Sequence, residues 1–73
     1  MHMKKVDARG LSCPEPVVRA RQAVGRLAAG DQLEILIETE VARENVLRCV
    51  RSMGCEAEVS EVEDGFRLLV KKQ

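Results

Sequence analysis

A chain of 73 residues lies near the lower limit at which one apolar core holds a fold without metal or disulfide help, so residues 1–73 make one domain. An apolar share of 45% and a charged share of 33% exclude a disordered tail and a membrane-inserted chain, and leave a water-soluble globular module. Lysine plus arginine equals aspartate plus glutamate at 12 each, so no excess positive field gathers a phosphate backbone, and direct binding of nucleic acid is not expected.

Met1-His2-Met3 places a second methionine behind a His-Met dipeptide, the pattern of a cloning remnant, so positions 1–2, with the chain's single histidine His2, are set aside. Lys4 to Ala8 alternates, with Val6 and Ala8 on one side and Lys5 and Asp7 on the other, the period of a half-buried strand. From Pro14 to Ala29, Val17, Ala20, Val24, Leu27 and Ala28 recur at three- and four-residue intervals, which predicts an amphipathic helix stopped by Gly30. Gln32 to Glu38 alternates again, with Leu33, Ile35 and Ile37 on one face; Leu36, on the other, has no explanation in the pattern.

Ala42, Val46, Cys49, Val50 and Met53 share one face of a second helix that ends at Gly54, with Arg43, Glu44, Arg48 and Arg51 pointing elsewhere and Glu44 spaced to pair with Arg48. Cys55, Ala57 and Val59 then alternate with Glu56, Glu58 and Ser60, and Phe66, Leu68 and Val70 with Arg67, Leu69 and Lys71. Asp64-Gly65 between the two runs is a hairpin turn. The order βαβαββ predicts an α+β fold: a two-layer sandwich whose mixed four-stranded sheet carries both helices on one face and a charged, wet surface on the other. With Phe66 as the only aromatic residue, the core is built from aliphatic side chains.

Three cysteines without a CxxC pair argue against a secreted disulfide framework and for a reducing compartment. No apolar stretch reaches membrane-helix length, and no basic-then-apolar leader precedes the first strand, so the expected location is the cytoplasm. Cys49, on the apolar helix face, and Cys55, on the inward set of its strand, read first as packing residues; Cys55 also has a resolving or sulfur-accepting role open to it. A zinc site would need Cys13, Cys49, Cys55 and His2 to converge without any short-spaced ligand pair, and no metal is expected.

Arg9-Gly10-Leu11-Ser12-Cys13-Pro14-Glu15-Pro16 is the informative stretch, since two prolines flanking one residue fit the start of a helix and nowhere inside it. Cys13 falls at the N-cap, Pro14 fixes the first helical position and Pro16 stiffens the first turn. A sulfur there meets the positive end of the helix dipole and the Glu15 N–H, which favours the thiolate. Arg9 and Arg19 add to that effect; Glu15 opposes it unless Arg19, four residues on, draws its carboxylate away. The prolines remove donors that a phosphate cradle needs. The plain alternative is that Cys13 is a buried small hydrophobe. With no Cys–His pair, protease-like hydrolysis is unsupported, whereas thiol exchange and sulfur transfer need no general base once the thiolate exists.

Asp7-x-Arg9-Gly10-Leu11-x-Cys13-Pro14-x-Pro16 resembles the signature of the TusA/SirA/YedF-type sulfur carriers. The likeness runs from Val6 to about Lys72, and Gly30-Asp31, Glu44-Asn45-Val46, Ser52-Met53-Gly54 and Gly65-Phe66 are similar to the YedF-like branch. The resemblance implies the same two-layer sandwich and no cofactor. It also implies a persulfide on Cys13, loaded by a donor such as a cysteine desulfurase or rhodanese and unloaded onto an acceptor thiol protein such as a DsrE-like protein. Glu38-Thr39-Glu40-Val41-Ala42 departs from the turn of TusA proper, and the DsrE-like domain of longer YedF relatives has no counterpart here, so donor, acceptor and the choice of sulfur or selenium stay open. The alternatives are a non-catalytic regulatory or interaction module, for example a partner of a thiosulfate or sulfur transporter, and a redox switch between Cys13 and Cys55.

Overall fold

The structure, a computed structural model, describes residues 4–10 and 15–73. Six elements follow in the expected order: β1 (Lys4–Asp7), α1 (Glu15–Gly25), β2 (Gln32–Ile37), α2 (Glu40–Ser52), β3 (Cys55–Val62) and β4 (Gly65–Lys72). The sheet order is β1-β2-β4-β3, with β1 parallel to β2, and β4 antiparallel to both β2 and β3. This is the mixed four-stranded sheet of an α+β sandwich.

One face of the sheet supplies the core. Register places Val6, Ile35, Leu68 and Val59 in one cross-strand row, and Leu33, Val70 and Ala57 in the next. Ala20 and Val24 of α1 and Val46 and Val50 of α2 close over these rows, and Leu33, Ile35, Leu68 and Val70 are fully buried with them. Burying each such aliphatic side chain is worth about 1.5–3 kcal/mol, so the aromatic-poor sequence still gathers a continuous core.

Three local expectations are corrected. Helix α1 ends at Gly25 rather than running to Ala29 before a stop at Gly30. Arg26 and Leu27 donate to the carbonyls of Ala23 and Val24, three residues back, and this tightened turn keeps Leu27 buried while Ala28 is exposed. Gly30, at φ +91, instead belongs to the following turn, where its N–H donates to the Lys72 carbonyl at 2.7 Å. Val59 is on the inward set but 37% exposed, because β3 is the sheet's outermost strand and extends past the helical cover. Glu44 pairs with Arg43 at 3.0 Å rather than with Arg48.

The opposite sheet face is drier than alternation suggests. Leu36, between Asp7 and Arg67 in register, is only 9% exposed. Beside it Glu34 is bridged by Arg67 at 3.2 Å and Lys5 at 3.9 Å, so the leucine that the pattern left unexplained sits next to a cross-strand ion-pair network rather than open water. Helix α2 is capped by Thr39, whose Oγ1 accepts from the Ala42 N–H at 3.1 Å. Among the described residues, no helix is long and apolar enough to cross a membrane.

Candidate functional site

The strand ends of β1 and β2 and the β3–β4 turn lie at one end of the sheet by register, and both helices start there. In open α/β layers, this end, where parallel strands finish and helices begin, is where loops are free to carry chemistry. The segment joining Gly10 to Glu15 opens from it. Cys13 and Pro14 fall inside that segment and lie outside the described residues; the described candidates are Arg9 and Gly10 before it, and Glu15, Pro16 and Arg19 after it.

Arg9 is gripped by Asp7. Its backbone N–H and Nε donate to Oδ1 at 3.1 and 3.0 Å, and its Nη2 donates to Oδ2 at 2.9 Å. The two parallel side-chain bonds are the strong, geometrically fixed form of this pair. The hydrogen bonds from the Arg9 guanidinium, then from its backbone N–H, hold the Asp7 carboxyl down at about 2, and the same pair pushes Arg9 further up. The Arg9 guanidinium is committed to Asp7, two residues away, and the clamp fixes the chain as it leaves β1.

Gly10 follows at φ +79, a left-handed conformation that favours glycine, and its N–H donates to Glu38 Oε2 at 3.3 Å. That bond ties the start of the segment to the end of β2. Asp7, Arg9, Gly10, Glu38 and Asp64 line a shallow depression at this end. The sequence signalled the first three through their spacing. Glu38 and Asp64 come from distant parts of the chain and carried no local signal.

On the other side of the segment, Pro16 is fully buried in the first turn of α1, where its missing N–H leaves no orphaned donor. Glu15 and Arg19 are both exposed, with Oε2 and Nε 3.9 Å apart, so Arg19 does draw the carboxylate toward it, in a pair of the weak surface class. Pro16 thus anchors the helix, and Glu15 and Arg19 form its wet side.

Arg43 was read as an exposed helix residue. It lies over the Phe66 ring at 4.8 Å, and its Nε is buried without a hydrogen-bond partner among the described residues. Stacking on the aromatic face of the hairpin holds this guanidinium beside the same sheet end. Cys49 and Cys55 are free thiols, each 7% exposed. Cys55 pairs in register with Lys72, at the sheet end opposite Gly10 and Glu15, and lines a separate concavity of about 660 Å³ with Gln32, Arg51 and Lys71.

Residues 4–72 match the family model described as sulfurtransferase TusA. A protein of Archaeoglobus fulgidus named "Putative sulfur carrier protein" is 42% identical over 71 residues, covering 94% of this chain and 92% of its own. A relative from Methanocaldococcus jannaschii with the same description is 35% identical, covering 96% and 95%. Among solved structures, the SirA-like protein of Desulfitobacterium hafniense superimposes with a TM-score of 0.81 at 30% identity, covering 96% of this chain and 95% of its own.

Proposed function

This chain belongs to the TusA family of sulfurtransferases, and from that premise we propose that it relays sulfane sulfur between proteins as a persulfide on Cys13. The observation that carries the reading is the full-length family match together with the start of α1 at Glu15, two residues after Cys13 in the chain. A thiol entering a helix at that point meets the positive end of the dipole, which favours the thiolate that sulfur exchange requires.

Loading begins with the Cys13 thiolate attacking the outer sulfur of a donor persulfide. A new S–S bond forms on Cys13, the donor's S–S bond breaks, and the donor cysteine leaves as thiolate. Unloading is the reverse exchange: an acceptor thiolate attacks the outer sulfur and Cys13 leaves as the thiolate. A depressed pKa serves both steps, since it supplies the attacking anion and makes Cys13 a better leaving group. No general base is needed, in keeping with a chain whose one histidine is His2.

Arg9, Gly10, Pro14, Glu15, Pro16 and Arg19 serve this site by position. The Asp7–Arg9 clamp and the Gly10–Glu38 bond set one end of the segment, Pro16 braces the other, and the Glu15–Arg19 pair limits the opposing carboxylate. The relay operates in the reducing cytoplasm between a donor of the cysteine desulfurase or rhodanese class and an acceptor thiol protein such as a DsrE-like protein, with no cofactor. Incubation with a cysteine desulfurase and cysteine, followed by intact mass, tests it. The wild-type chain gains one sulfur, or one selenium when selenocysteine replaces cysteine as the desulfurase substrate, and Cys13→Ser gains none; equal gain in both discards the assignment.

A further inference from the structure

The chain has no net charge, yet its charges are segregated along the sheet axis. Glu38, Glu40, Glu61, Glu63 and Asp64 gather at the end where β1 stops and α1 starts, all exposed and none with an ion-pair partner among the described residues. The arginines of that end are committed elsewhere: Arg9 to Asp7, and Arg43 to Glu44 and the Phe66 ring. Lys4, Arg26, Arg51, Lys71 and Lys72 gather at the opposite end, where they outnumber Asp31 and Glu56. Glu38 contacts the N–H of Gly10, so the negative field reaches the beginning of the segment that carries Cys13 well within a screening length of about 8 Å at physiological salt.

The acidic end is not purely polar. Val41 is 66% exposed in the first turn of α2, two residues before Arg43. Val59 is 37% exposed on β3, two residues before Glu61, the register partner of Phe66. Apolar side chains set among like charges are the composition of a protein-contact surface, an apolar centre with a charged rim. Among the described residues no three His, Cys, Asp or Glu side chains converge closely enough to hold a metal ion, so the carboxylates act as a field rather than a chelate.

We propose that this acidic, valine-bearing end is a contact face that selects a protein partner carrying a basic patch with an apolar centre, and turns away anionic low-mass thiols. The inference rests on the reading of Cys13 as the exchanging thiol. Its consequence for a carrier is specificity: a persulfide is open to discharge by any thiolate that reaches its outer sulfur, and the negative field at this end slows those that bring a negative charge while steering a basic protein surface in.

The test uses the free thiol of the whole chain and activated disulfides. The Cys13 thiolate attacks the sulfur of a 2-thiopyridyl disulfide, forming a mixed disulfide and expelling pyridine-2-thione, whose absorbance gives the rate. The probes carry cysteamine (cation), 2-mercaptoethanol (neutral) or 3-mercaptopropionate (anion), with N-acetylcysteinamide as the reference thiol. After division by the reference rates, the cation reacts roughly tenfold faster than the anion at low salt, a ratio that falls to within about twofold in 1 M salt and in Glu61→Lys/Glu63→Lys. A cysteine peptide flanked by lysine and leucine outpaces its lysine–serine counterpart, and Val41→Ser removes that advantage.

Equal corrected rates for cation and anion at low salt overturn the contact face, and so does a ratio indifferent to salt. The salt series reads the field without any variant. Equal thione release from Cys13→Ser and wild type would instead remove Cys13 as the exchanging thiol. If persulfide loading on Cys13 stands while the charge ratio is one, only the contact face is lost.

Discussion

Gly65 and Ile37 meet backbone to backbone at the sheet end that carries the candidate site. A Cβ at Gly65 would fall inside the van der Waals envelope of the Ile37 carbonyl oxygen and 2.9 Å from the Cα of Glu38. The residue also sits at φ +142, a region that side chains rarely adopt. Glu38 is the carboxylate that holds Gly10, so the close approach that glycine permits keeps β4 and the site's anchor together. Gly65→Ala therefore costs about 2–5 kcal/mol, combining a strained dihedral with a backbone clash that no rotamer relieves. Urea unfolding reads this as a lower midpoint at an unchanged slope; a loss under about 0.5 kcal/mol would refute the close approach.

The Asp7–Arg9 clamp predicts a pH dependence with a definite sign. The folded-state pKa of Asp7 is depressed from its ordinary 3.8 to about 2, chiefly by the hydrogen bonds from Arg9. A depressed carboxylate stabilises the fold at every pH above the unfolded value, and that contribution is lost as pH falls from 3.8 through about 2. Carboxyl carbon chemical shifts should show Asp7 titrating near 2 in the wild-type chain and moving up toward 3.8 in Arg9→Gln. A wild-type midpoint at the ordinary value would mean that the clamp does not persist in solution.

The order and layering of the elements were legible because each apolar run keeps one period throughout, two in the strands and 3.6 in the helices. Periodicity does not register where a helix unwinds while its side chain stays on the same face. Leu27 remains buried through a tightened turn after Gly25, so the stripe runs unbroken in the sequence past the point where the helix has ended. Alternation likewise assigns Val59 to the inward face without saying that the sheet's outermost strand outruns its cover.

The candidate site divides in the same way. Gly10, Pro16 and the Glu15–Arg19 pair behave as local rules predict, because their roles are set within one turn of chain. The partner of Arg9 was missed although it lies two residues away, since a charge read from sequence carries no record of which neighbour it faces. Glu38, Asp64 and the Arg43–Phe66 stack join the same end only through the crossover and the hairpin, and no window of sequence contains them together.

Leu68 and Val59 occupy one cross-strand row, directly paired between β4 and β3, yet they should respond differently to truncation. Leu68 is fully buried between Ile35 and the helices, and Leu68→Ala removes contacts that a small aliphatic core cannot recover by collapse, at about 2–5 kcal/mol. In a chain of this length that is a large share of a total stability of roughly 5 kcal/mol, so the variant should unfold at a much lower urea concentration than the wild-type chain. Val59, 37% exposed, has already left part of its side chain in water, and Val59→Ala should cost no more than about 1 kcal/mol. Parallel urea melts of the two variants measure the contrast. Similar costs would show that β3 is covered along its whole length, and with it that Val59 is not available to a partner.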